Sequence, residues 1–176
     1  MNTLSNPSLK SINWFGVVLF SLMFWFSSSL LIDFVVMPGL FVSGMMSQPD
    51  FGLAGYTLFW LFNRLELVCG ASILTGLLVA RQTRDASSVL ASGIRSRWAV
   101  ELSVALLAIA LVLTYWLSPA MGAVGMSLDP FADTSTLPEG MNQLHALYFT
   151  LEALKLLGCA GLIRLYFKDL QVAGEL

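Results

Sequence analysis

Asn63, Arg64 and Glu66 lie near the middle of one long apolar run, Tyr56 to Ala80. Glu152 and Lys155 lie near the middle of another, Gln143 to Phe167. If these runs cross a membrane, each charge costs about 2.5–3.5 kcal/mol to insert, so each needs a partner or a task. Paired, such groups fix helix order and register. Reached by water, they line a path for an ion, a proton or a ligand. The residues alone leave both readings open.

Helical phase and depth sort these groups. At 100° per residue, His145, Tyr148, Glu152, Lys155 and Cys159 fall on one face within about 80°. Tyr56, Asn63, Glu66 and Gly70 share a face of the earlier run; Arg64 projects away from it, on a side chain long enough to swing round the helix. At about 1.5 Å per residue, Arg64 lies level with Glu152, and Glu66 with Lys155. The expected cross-helix pairs are therefore Arg64 with Glu152 and Glu66 with Lys155. Asp33, in the outer half of the first apolar run, is expected to approach His145, with Ser29 one turn earlier as its hydrogen-bond partner. Asp33, Asn63, Arg64, Glu66, His145, Tyr148, Glu152 and Lys155 together form an intramembrane polar seam.

Other chemistries leave fainter traces. Met37, Met45, Met46, Met121, Met126 and Met141 all fall at or beyond the expected outer ends of spans. Thioethers, thiolates and imidazole suit Cu(I), and the donors for it would be His145, Cys69, Cys159, Met45 and Met126. One histidine cannot give bis-His haem ligation in a single chain; His/Met ligation or a dimer would be needed. There is no Ser/His/Asp set, Gly-rich phosphate loop, zinc motif or His-Glu-x-x-His, so no catalytic residue is assigned. No cofactor is expected, with copper and haem left open. Both cysteines sit in apolar runs, which argues against a disulfide framework.

Four elements must position these residues. The 176-residue chain is 57% hydrophobic and only 11% charged, with a mean hydropathy of +0.78. Soluble domains are about 25% charged. Apolar runs at about Trp14–Pro38, Phe51–Ala80, Trp98–Leu117 and Gln143–Phe167 each reach the ~20 residues that cross ~30 Å of hydrocarbon. Only helices satisfy their own backbone groups there without closing a barrel. The expectation is an all-α, four-helix transmembrane bundle, one domain over residues 1–176, with a connecting loop at 81–97. The first run exceeds an h-region of about 7–15 residues and reads as an uncleaved span.

Lys10, Arg81, Arg84, Arg95, Arg97, Arg164 and Lys168 all fall on one side of this scheme, and the loops on the other side carry no Lys or Arg. The positive-inside rule then places both termini in the cytoplasm, in what reads as a bacterial plasma membrane. The loop RQTRDASSVLASGIRSR is either a short interfacial helix or a solvated connection. Basic residues are too few and too scattered for nucleic acid. An internal echo accompanies this layout: Pro38 is followed by Gly44-Met45, and Pro119 by Gly125-Met126 at the same spacing. Two related hairpins would explain it.

VVMPGLF (Val35–Phe41), FGLAGYTLF (Phe51–Phe59) and NRLELVCG (Asn63–Gly70) resemble bacterial members of the transmembrane-protein-205-like family. LHALYFTLEALKLLGCAGLIRLY (Leu144–Tyr166) resembles its last helix. The resemblance implies a small, four-helix, multi-pass membrane protein of the kind classed as a domain of unknown function, and implies no activity. A more distant likeness is to the copper-resistance D and protoporphyrinogen-oxidase-like groups, which use several histidines where this chain has only His145. The leading functional reading is a non-enzymatic scaffold, assembly or stress-related membrane subunit, in contact with lipid and with a membrane-protein partner or a second copy. The rival is a small transporter or channel-like carrier that uses the polar seam; copper or haem handling is the third.

Overall fold

A computed structural model describes residues 13–45, 48, 51–82, 93–126 and 140–173, with side chains described for all of these except 93–96, 125, 126 and 169–173. Four continuous helices account for almost all of them: α1 (Trp14–Val42), α2 (Phe51–Gln82), α3 (93–126) and α4 (Met141–Ala173). Each is long and apolar enough to cross a membrane, and the protein is an all-α, four-helix integral membrane protein. Asn13 caps α1, its side-chain oxygen accepting from the Gly16 N–H at 3.1 Å. Gly44, at φ +72°, closes the same helix in the left-handed conformation that glycine adopts without strain.

Sequence reasoning ends the first span at Pro38 and the third at Leu117, just before Pro119. Both helices instead run through their prolines, to Val42 and to residue 126. A proline ring clashes with the carbonyl four residues back and offers no N–H. Each helix absorbs this in one wider π-helical turn, Ile32–Val36 in α1 and Leu113–Leu117 in α3. Met37 N–H bonds to the Ile32 carbonyl, and Ser118 N–H to the Leu113 carbonyl. The third helix also starts earlier than expected, at Gly93, so Arg95 and Arg97 belong to α3 rather than to a loop. The rest of the 83–92 connection, the acidic residues Asp129, Asp133 and Glu139, and Lys10 lie outside the described residues.

The helices form a ring in chain order, each antiparallel to its neighbours. Val18 of α1 meets Gly76 of α2, and farther along Ser29 meets Glu66. Tyr56 and Asn63 of α2 meet Gly122 and Ser118 of α3. Leu106 of α3 packs on Gly158 of α4, and Phe15 of α1 stacks on Tyr166 of α4. Helices α2 and α4 are therefore diagonal and parallel. In lipid, burying apolar surface gives little drive between helices, and close packing supplies it instead. Small residues make that approach possible: a Cβ on Gly76 would lie 2.2 Å from Val18 Cγ2, and one on Gly158 2.8 Å from Leu106 Cδ2.

The two hairpins share one pattern of burial. Val18, Leu22, Trp25 and Ser29 are buried in α1; Ala99, Ser103, Leu106 and Ala110, each 81 residues later, are buried in α3. The π-helical turns and the prolines repeat at the same interval. In α2 and α4 the interval is 89 residues. It relates buried Asn63, Glu66, Gly70, Ile73 and Leu77 to buried Glu152, Lys155, Cys159, Leu162 and Tyr166. Equivalent residues at equivalent depth describe a pseudo-two-fold axis along the bundle.

Two apolar cores lie along that axis. The larger, toward the end that carries exposed Arg81, Arg97, Arg164 and Lys168, includes Leu22, Trp25, Ile73, Leu106, Leu162 and Tyr166. The smaller, toward the opposite end, is built on Leu113, Leu117 and Tyr148. The outer surface is apolar, with Phe20, Phe34, Phe41, Val68, Phe149 and Leu157 exposed to the bilayer.

Candidate functional site

A layer of polar side chains separates the two cores, and each helix contributes to it. Its centre is an ion pair between Glu66 of α2 and Lys155 of α4. The two helices are diagonal, so only a long acid and a long ammonium span the middle of the ring. Both residues are 1% exposed. Lys155 Nζ also donates to Glu152 Oε1 at 2.6 Å, one turn back on its own helix. Ser29 Oγ of α1 donates to Glu66 Oε1 at 3.1 Å. The ammonium therefore bridges two carboxylates, and Phe62 lies beside it, its ring centroid 5.9 Å from Nζ.

The two flanks of this centre differ. On the α2–α3 side, Asn63 Nδ2 donates to Ser118 Oγ at 2.7 Å, and Thr114 Oγ1 donates to the Ala110 carbonyl at 2.6 Å. Thr114 and Ser118 lie in and just after the π-helical turn of α3. On the α1–α4 side, the pseudo-axis puts Asp33 where α3 has Thr114, and Glu152 where α2 has Asn63. Asp33, in the π-helical turn of α1, lies within hydrogen-bonding reach of Glu152. Among the described residues, Asp33 Oδ2, Glu66 Oε2 and Glu152 Oε2 are buried and have no hydrogen-bond donor. One flank is a satisfied neutral network, and the other is an acid pair with open acceptors.

Most of the expected seam converges here, and two expected pairs are corrected. Asn63, Glu66, Tyr148, Glu152 and Lys155 are buried and Asp33 half-buried. Glu66 meets Lys155. Arg64 does not meet Glu152: it is exposed on the outside of α2, its guanidinium 4.0 Å from the Trp60 ring centroid. Helical phase holds it about 100° round from Asn63, and the ring places α4 across the interior, beyond its reach. Nor does Asp33 meet His145. His145 is half-buried two turns from Glu152, its Nδ1 3.0 Å from the Met141 carbonyl and its ring stacked on Phe149. The continuation of α1 past Pro38 sets Asp33 deeper, level with Glu152. Ser29, expected to bond Asp33, bonds Glu66 instead.

Thr114, Ser118 and Trp25 were not singled out from sequence. Thr114 and Ser118 are spaced by four ahead of Pro119, a signal that could have marked them as one face of α3. Trp25 is 1% exposed beside Glu66, and among the described residues its Nε1 has no acceptor in good geometry. Among the residues suited to copper, Cys69 and Cys159 are buried, free thiols in the larger core. Met45 is exposed near the end of α1, and the Met126 side chain lies outside the described residues. Among the described residues, no three His, Cys, Asp or Glu side chains are grouped as a metal centre requires.

No protein family, curated protein or solved structure matches the chain.

Proposed function

We propose that the protein is a non-enzymatic membrane subunit in which the Glu66–Lys155 layer locks two hairpins into a platform, and the Arg64 face of α2 receives a partner span. One observation carries this reading. Arg64 sits exposed on the outside of the bundle, about 20 Å from the nearer end of α2. Arginine keeps its charge in proteins. Stacking on Trp60 offsets only about 0.5–2 kcal/mol of what hydrocarbon exacts from a mid-span charge. A helix that brings a carboxylate to that depth supplies the rest. Exposed Leu61, Leu65 and Val68 provide the apolar bed around it.

The distribution of Lys and Arg supports a bacterial plasma-membrane protein with both termini in the cytoplasm. Membership of the transmembrane-protein-205-like family belongs to the same proposal and rests on the segments Val35–Phe41, Phe51–Phe59, Asn63–Gly70 and Leu144–Tyr166.

The test is a photo-crosslinking residue placed at Leu61 or Val68 of the full chain in native membranes. The expected result is one dominant protein adduct, identified by mass spectrometry as a membrane-spanning chain with an acidic residue at mid-span. It is lost in Arg64→Leu and kept in Arg64→Lys. Adducts with lipid alone, or an adduct indifferent to Arg64→Leu, overturn the proposal.

A second reading, a small carrier that uses the polar layer, is favoured by the donorless oxygens of Asp33, Glu66 and Glu152.

A further inference from the structure

The polar layer places three carboxyl groups, those of Asp33, Glu66 and Glu152, around one ammonium, Lys155. The ammonium is committed to Glu66 Oε1 and Glu152 Oε1. Among the described residues, three acceptor oxygens remain buried without a donor, on residues that are 1% exposed at Glu66 and 4% at Glu152. Asp33 and Glu152 approach within hydrogen-bonding reach, and two carboxylates in that contact, away from water, repel unless one of them holds a proton. A single proton gives one of the pair a hydroxyl and the other a donor.

The other half of the bundle shows that packing does not require acids here. At the positions equivalent to Asp33 and Glu152, Thr114 and Asn63 fill the same places, and their hydrogen bonds close locally. The backbone device is also the same, a π-helical turn before a proline. The acid pair is thus a chemical difference laid on a repeated frame, and a π-helical turn within an α-helix is a common setting for functional side chains.

We infer that Asp33 and Glu152 form a proton-binding site within the membrane span, one proton being shared between their two carboxyl groups. The ligand is the proton itself. The titratable groups in electrostatic contact with the pair are Glu66 from α2 and Tyr148, Lys155 and Cys159 from α4, while Thr114 and Ser118 of α3 bond on the opposite flank. Lys155 holds Glu152 Oε1 as an acceptor. Asp33 is the half-buried member of the pair. The site stands whether or not the protein is a carrier, and it is separate from the Arg64 face.

The test is infrared difference spectroscopy of the full chain in lipid nanodiscs, titrated with pH in H2O and in D2O. The expected result is a protonated-carboxyl C=O band at neutral pH, equal to one group and shifted by deuteration. Asp33→Asn and Glu152→Gln each remove it while the helical circular-dichroism signal is retained, and Glu101→Gln, on the exposed side of α3, leaves it unchanged. Absence of the band in folded wild-type protein overturns the site, and this outcome needs no variant to fold. A band that survives both substitutions overturns it as well. A band abolished by sodium or potassium at constant pH assigns the pair to a metal cation and also overturns the proton assignment.

Discussion

Glu66 and Lys155 hold equivalent positions in the two hairpins, 89 residues apart, and meet as an ion pair across the diagonal of the bundle. A repeat with identical residues would set like charges against each other at its axis. Opposite charges at that position make the halves complementary, so the first hairpin prefers the second over a copy of itself. The neighbouring difference, Asp33 and Glu152 on one flank and Thr114 and Asn63 on the other, shows the same divergence at the next shell outward.

Removal of the ammonium is expected to be the most damaging single change in the layer. Lys155→Met leaves Glu66 and Glu152 facing each other without a counter-charge and should cost about 3–5 kcal/mol. Glu66→Gln leaves Lys155 its bond to Glu152 and should cost less, about 1–3 kcal/mol. Reversible unfolding in mixed micelles measures both, and the order of the two is the point at issue.

Arg64 contributes nothing to the interior, so charge reversal across it should not rescue the layer. Glu152→Arg introduces a second cation beside Lys155 and is expected to lose folded protein. Adding Arg64→Glu is expected to leave that loss unchanged, because residue 64 faces away from α4. Arg64→Leu alone should fold at wild-type yield. Fluorescence-detected size-exclusion chromatography of the three variants beside wild type reads the outcome.

The close approach of α1 and α2 rests on Gly76. A methyl there would fall 2.2 Å from Val18 Cγ2, and valine has little χ1 freedom in a helix to move aside. Gly76→Ala is expected to cost about 1–3 kcal/mol as overpacking. Gly39→Ala, where a Cβ meets nothing within 4 Å, is the matched control and should be near neutral. Thermal melts of the two proteins in the same detergent compare them directly.

The neutral flank predicts an asymmetry of its own. Asn63→Leu leaves the Ser118 hydroxyl, buried between α2 and α3, without its donor and should cost about 1–3 kcal/mol. Thr114→Val removes a hydroxyl whose short bond is to the Ala110 carbonyl within its own helix, with the Asn63 carbonyl reached only at 3.5 Å, and should cost under about 1 kcal/mol. Denaturant titration of each variant against wild type gives the two values.

Much of this arrangement was legible in the residues. The four apolar runs mark the spans, and helical phase puts Tyr148, Glu152, Lys155 and Cys159 on one face, where the structure buries them. Equal depth singled out Glu66 with Lys155. What sequence could not supply is the order of helices around the ring. Arg64 and Glu152 are level, but depth does not reveal that one points to lipid and the other to the interior. The Asp33–His145 expectation failed for a different reason. Proline reads as a helix end, and the π-helical turns that carry α1 and α3 past Pro38 and Pro119 are backbone adjustments without a residue signature of their own. They move Asp33 to the level of Glu152 and bring Thr114 into the layer.

The central claim is that the Glu66–Lys155 contact couples the two hairpins. A double-mutant cycle between Glu66→Gln and Lys155→Met, measured by unfolding free energy in bilayer-like micelles, tests it most directly. A coupling energy on the order of 1–3 kcal/mol is expected, because each residue's cost depends on the presence of the other. Additivity within about 0.3–0.5 kcal/mol would mean that the two side chains act independently, and would contradict the account.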